Sequence, residues 1–266
     1  RIEASAKSIQ RALDLNDQDC VSLVALAQVY EAWQRLDDAA QMAQQCLDTE
    51  NADQRAAAYL IRLQVAQNAF DAALATAAEH ADALTDPALV VSEINLLLNR
   101  PAKALESLQN AETGPSVQHA FATAMMGDLD TALEEIRTLS RSTDSYVVAL
   151  ADAALSSARG QQITDKSRQM LQARPDLKAG MAWFEGLRRT QAQGAAAGAA
   201  MTQAAAGMLP GVRFEGVPAE DWAAMSIEAN PASAALGVLW LLRGYDEAAR
   251  AAFDHLLANT EVAQIR

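Results

Sequence analysis

Leu36-Asp37-Asp38-Ala39-Ala40 recurs in altered form as Phe70-Asp71-Ala72-Ala73-Leu74, Pro101-Ala102-Lys103-Ala104-Leu105, Leu129-Asp130-Thr131-Ala132-Leu133 and Tyr245-Asp246-Glu247-Ala248-Ala249. Each copy follows a turn-forming pair, opens on an aromatic, Leu or Pro, and carries alanine at its fourth position. That arrangement marks a helix beginning just after a short turn. The alanines are 34 residues apart from Ala39 to Ala73, 31 from there to Ala104 and 28 from there to Ala132. A further 34 residues reach Lys166, where another helix is expected to open. Recurrence at such intervals is the signature of a repeat architecture.

Packing explains the alanine. Two helices approach closely only where side chains are small, and large neighbours then fill the adjoining holes. One helix pair cannot bury its own apolar stripe, so stacked pairs are needed to make a continuous core. Composition agrees: alanine dominates, aromatics are only 5%, and strand signals are nearly absent, which favours helix over sheet. With 266 residues and 51% hydrophobic side chains the chain has ample material for a core.

Twenty-one basic against 34 acidic residues leave a net charge of −13, which repels phosphate backbones and anionic lipid. Nucleic acid is therefore excluded as an expected partner. The acidity also keeps an alanine-rich array soluble. No residue from Thr190 to Val212 is charged, long enough for a membrane span, but Ala and Gly supply little transfer free energy and Gln191, Gln193 and Gln203 oppose insertion. No span is expected.

Helix pairs are expected at about 20–53, 54–84, 85–112, 113–143 and 144–174, followed by Leu177 to Ala192 and Gly194 to Met208. From Ala200 to Ala248 the interval is 48 residues, one period plus 14. The excess falls on Pro210 to Pro218, which cannot be helical and is expected to form an exposed loop, with a short helix at Asp221 to Ala229 after it. The organisation read from the sequence is thus helical repeats over 1–208, an insertion over 209–228 and a final pair over 229–266. The chain opens at Arg1 with what resembles the second helix of a pair over Ala4 to Asn16, so a piece of a longer protein is expected.

The stretch Cys20 to Asp53 resembles the tetratricopeptide repeat. Leu23, Leu26, Ala27 and Tyr30 stand where that pattern places its first-helix residues, and Ala39, Ala43 and Cys46 form the small face of the second helix; Asn51 replaces the usual closing proline. The resemblance spans roughly the whole chain but is good only over 20–53 and about 54–86. It implies a right-handed α-solenoid whose first helices line a concave groove that binds a protein or peptide segment. Carried over by position, the groove residues are Gln28, Glu31, Arg55, Tyr59, Arg62, Glu93, Gln118 and Phe121. The subset of the family that grips a C-terminal carboxylate is not matched, because Val24 and Gln28 replace its leading lysine and asparagine.

Residues for catalysis are sparse. His80, His119 and His255 lie in separate pairs without a second histidine or cysteine at ligand spacing, so neither a metal nor another cofactor is expected. Asp37-Asp38 lacks a third acid at Gln41 and reads as first-turn residues favoured by the helix dipole. Glu134-Glu135 reads as a solvated face. Cys20 and Cys46 stand at opposite ends of one pair, where an antiparallel hairpin would bring them together; the preferred reading is two small buried residues. The expected protein is a non-enzymatic interaction scaffold or assembly factor of bacterial type. The alternatives are the helical arm of a larger envelope, secretion or polysaccharide-export protein, and a helical enzyme with a pocket near the insertion.

Overall fold

The computed structural model describes residues 2–49, 54–109, 115–194, 197–198 and 231–258. Among them the protein is all-α, with fourteen α-helices, two short 3-10 turns and no strand. The predicted loop over 209–218, the helix over 221–229 and most of the Gly194 to Met208 helix lie outside the described residues.

The repeated motif is a helix stop followed by a helix start. Gln34, Asn68, Asn99, Gly127, Gly160 and Gly244 all have positive φ, between 55° and 102°. After each, a backbone N–H reaches back five residues to the preceding helix: Arg35 to Tyr30, Ala69 to Gln64, Arg100 to Asn95, Asp128 to Thr123, Gln161 to Ser156 and Tyr245 to Trp240, all at 2.8–3.1 Å. The positive-φ residue itself bonds three back, as Gln34 does to Glu31 at 2.8 Å. These are Schellman caps, which satisfy the free carbonyls of a helix end with a residue in the left-handed region. The next helix then begins within a few residues, at Leu36, Phe70, Pro101, Leu129, Asp165 and Asp246.

The structure forms two compact units, Arg1–Ile94 and Asn95–Arg266. The N-terminal unit contains α1 (Ile2–Leu15), α2 (Cys20–Ala32), α3 (Leu36–Leu47), α4 (Gln54–Ala66), α5 (Phe70–Glu79) and most of α6 (Pro87–Leu97). Helices α1, α2, α3 and α4 each pack on the one that follows. Ala27, Ala39 and Ala43 are fully buried with Leu60 and Leu63, so the small residues sit where α2, α3 and α4 meet. Cys20 and Cys46 are joined in a disulfide with Cα atoms 4.6 Å apart. This corrects the reading of two unlinked thiols: α2 and α3 run antiparallel, which brings the first residue of one beside the end of the other.

The C-terminal unit contains α7 (Pro101–Gln109), α8 (Val117–Met125), α9 (Leu129–Ser142), α10 (Tyr146–Ala158), α11 (Asp165–Gln172), α12 (Lys178–Gln193), α13 (Pro231–Leu242) and α14 (Asp246–Ala258). Its centre is α10, buried at every position from Val148 to Ala158. Such a helix needs cover on all sides; α8, α9, α11, α12 and α13 provide it. Asp152 of α10 is wholly buried, and its carboxylate accepts from the Thr164 N–H at 3.0 Å, the Thr164 hydroxyl at 2.7 Å and the Ser156 hydroxyl at 2.9 Å. It thereby fixes Thr164, the N-cap of α11.

The final pair does more than lengthen the row. α13 packs on α10, α12 and α8, the first helices of successive pairs, with α14 against it. Residues Ala232 to Trp240 are all buried. Gly180 of α12 admits the end of Leu242, and Gly237 of α13 admits the ring of Phe253, so glycines stand where these helices come closest.

Candidate functional site

Three of the expected groove residues meet in one polar cluster in the N-terminal unit. Positions Arg55, Tyr59 and Arg62 follow one another at four- and three-residue steps along α4 and share a face, as Gln28 and Glu31 do on α2. Packing of α2 and α4 on α3 sets these two faces side by side. The Tyr59 hydroxyl donates to Glu31 Oε2 at 2.7 Å. Arg62 donates through Nη1 to Oε1 at 2.6 Å and through Nη2 to Oε2 at 2.7 Å, a bidentate fork. The guanidinium also lies over the Tyr59 ring, 4.8 Å from its centroid.

The cluster is accessible. Side-chain exposure is 53% for Arg62 and 30% for Glu31, Tyr59 is half-buried, and Gln28 and Arg55 are exposed. The Arg62 fork holds the Glu31 carboxyl below its ordinary range, against opposing burial and with help from Tyr59. Burial, then the hydrogen bond to Glu31, pushes the Tyr59 hydroxyl above its usual value. Glu31 is thus anionic and Tyr59 a neutral donor at physiological pH. The cluster is amphipathic and close to charge-neutral.

The other expected residues are dispersed. Glu93 is partly buried on α6, and Gln118 is partly buried on α8 in the C-terminal unit. Phe121 is only 1% exposed and packs edge-on against Trp240 of α13, with ring centroids 5.7 Å apart and an 88° interplanar angle. It is a core residue and not a groove residue, because α13 covers the face on which it stands.

The acidic pairs are accounted for structurally. Asp37 accepts from Gln67 at 2.6 Å, tying one pair to the next, and Asp38 accepts from Arg35 Nε at 2.6 Å. Glu134 is 65% exposed, whereas Glu135 receives the Ser116 N–H at 3.2 Å and stands 2.8 Å from His119 Nδ1. His80 ends α5 as its C-cap. Among the described residues no group of His, Cys, Asp and Glu is arranged to hold a metal ion, and no helix is long and apolar enough to cross a membrane. No protein-family model matches the chain, and no curated protein aligns with it significantly.

Proposed function

We propose that the chain is a non-enzymatic interaction scaffold, a right-handed α-solenoid of tetratricopeptide-like pairs that binds a protein or peptide segment on the first-helix face of its N-terminal unit. The recurring Schellman turns and buried alanines support the repeat reading. The observation that carries the function is the Glu31–Tyr59–Arg62 cluster. Tyrosine and arginine are frequent binding hot spots because each joins a large contact area to hydrogen-bonding capacity. Here both are held in place before any partner arrives, so little side-chain freedom is lost on binding.

Affinity capture with the whole chain, read by quantitative mass spectrometry, tests this against the Tyr59→Ala/Arg62→Ala variant. The expected result is a protein retained by the wild type and weakened by at least about 1 kcal/mol in the variant, with the thermal midpoint nearly unchanged. An identical set of captured proteins from both would remove the face from consideration.

The disulfide favours a second, compatible reading: an arm of a bacterial envelope or secretion protein. Disulfides persist in oxidising compartments and are rare in reducing ones. Thiol counting on protein isolated from its native source under alkylating conditions is the test; two free thiols would argue for a reducing compartment.

A further inference from the structure

The C-terminal unit contains a cavity of about 470 Å³ among α10, the 161–163 loop, α11 and the start and middle of α12. That volume is in the range of small-molecule sites. It exists because α10 turns only Ala153 and Ser157 toward it, leaving the space between α11 and α12 unfilled. Its floor is apolar: Leu171 and Phe184 are 1% and 2% exposed, with Met181 and Ile163 beside them. The Ser157 hydroxyl is spent on the carbonyls of Ala153 and Ala154, at 2.6 and 2.8 Å.

Four cations line this cavity, Arg168, Arg174, Lys178 and Arg188, against one acid, Glu185. Between Asp165 and Arg189 the sequence holds six basic and three acidic residues, a local +3 in a chain of −13. The arginines are partly neutralised. Arg188 makes a fork with Glu185 at 2.6 and 2.7 Å, and Arg174 makes one with Asp176 at 2.7 and 2.9 Å. Arg168 is held more loosely, 3.7 Å from Asp165. Lys178 has no ion pair among the described residues. Glu185 is shared between Arg188 and Arg189, so of the four lining cations Lys178 alone has no acidic partner. Its charge sits at the first residue of the 16-residue helix α12, whose first turn carries no acid. A lysine near a helix start is unfavourable with the helix dipole, so an anion beside it is favoured.

We infer that the cavity binds a small organic monocarboxylate, its carboxylate at the Lys178 and Arg168 side and its apolar body on Leu171, Met181 and Phe184. A phosphate monoester brings up to two negative charges, more than the single unpaired lysine offsets. An uncharged apolar molecule gains nothing from Lys178. The inference is independent of the Tyr59 and Arg62 face, which belongs to the other unit.

Octanoate is the probe, titrated into the whole chain by isothermal calorimetry. The expected result is saturable binding, weakened at least about tenfold by Lys178→Ala and restored in part by Lys178→Arg, with 1-octanol at least about tenfold weaker than octanoate. Tyr59→Ala/Arg62→Ala leaves octanoate binding unchanged. Equal affinity for octanol reduces the cavity to an apolar void. Octyl phosphate bound about tenfold more tightly than octanoate makes it a dianion site. No heat up to about 5 mM octanoate, with folding verified by circular dichroism, overturns the proposal. Because Lys178 is exposed, its replacement leaves the core intact.

Discussion

In the N-terminal unit the first helices α2 and α4 turn Gln28, Arg55 and Arg62 to solvent, whereas in the C-terminal unit the first helices α8, α10 and α12 lie under α13. The two faces arise from the same turn chemistry and the same alanine contacts. What separates them is the residue type at the positions facing away from the second helices. On α4 those positions hold Arg55, Tyr59 and Arg62; on α10 the whole stretch Val148 to Ala158 lacks a solvated side chain. A helix apolar all round must be covered, and an amphipathic one need not be. Among the described residues the C-terminal unit thus covers its first-helix face to complete its own core, whereas α2 and α4 keep Gln28, Arg55 and Arg62 exposed.

Breaking the covered face is expected to have the largest effect. Trp240 is 2% exposed and meets Phe121 edge-on; Trp240→Ala should cost about 3–5 kcal/mol and expose apolar surface to a dye such as ANS. A loss below about 1 kcal/mol in urea denaturation would mean that α13 does not close the unit.

The disulfide sharpens the comparison, since both cysteines of the chain lie in the N-terminal unit. Cys20→Ser/Cys46→Ser should lower the stability of that unit by about 3 kcal/mol, mainly by freeing its unfolded state. Exchange protection of α10 amides, followed by hydrogen–deuterium exchange, should not change. Loss of protection in both units alike would tie them into one cooperative block.

A smaller, pH-dependent effect is expected at the wall of the cavity. Arg188, against opposing burial and with Arg189 assisting, pulls the Glu185 carboxyl down from 4.5 to about 2. Because the folded value is the lower one, its stabilisation is present above about pH 4.5 and is lost as pH falls toward 2. Glu185→Gln should therefore be less stable than wild type by about 1–2 kcal/mol at neutral pH, after solvent screening, and the difference should close near pH 2. A difference constant from pH 7 to pH 3 would show that the carboxylate contributes through shape alone.

The smallest effect tests the turns that both units share. Gln34 holds φ 60°, a conformation that glycine occupies at Gly127, Gly160 and Gly244. Gln34→Gly should raise stability by about 0.5–1 kcal/mol by relieving left-handed strain, less the added entropy of the unfolded chain. No Cβ neighbour lies within 4 Å of Gly127, so Gly127→Ala isolates the backbone term and should cost about 1 kcal/mol. A lowered thermal midpoint for Gln34→Gly, or an unchanged one for Gly127→Ala, would refute the common role of the turns.

Helix class and the starts at Leu36, Phe70, Pro101 and Leu129 were legible in the sequence because a helix stop and start is settled by a few neighbouring residues and their backbone preferences. The pairing of Tyr59 with Arg62 on one face followed from helical period alone; the resemblance listed Glu31 along the same expected groove, but its bonds to Tyr59 and Arg62 came only with the packing of α2 and α4 on α3. Phe121 was misread for the opposite reason: its cover, Trp240, lies more than a hundred residues along the chain, and nothing at position 121 records it. The disulfide needed the antiparallel crossing of α2 and α3, and the cationic cavity needed α10, α11 and α12 around a space left by alanine and serine. Its one local trace was the reversal of charge between Asp165 and Arg189. Turn geometry and periodicity are short-range and are written residue by residue; which apolar face is covered, and by what, is decided only when distant helices compete to bury it.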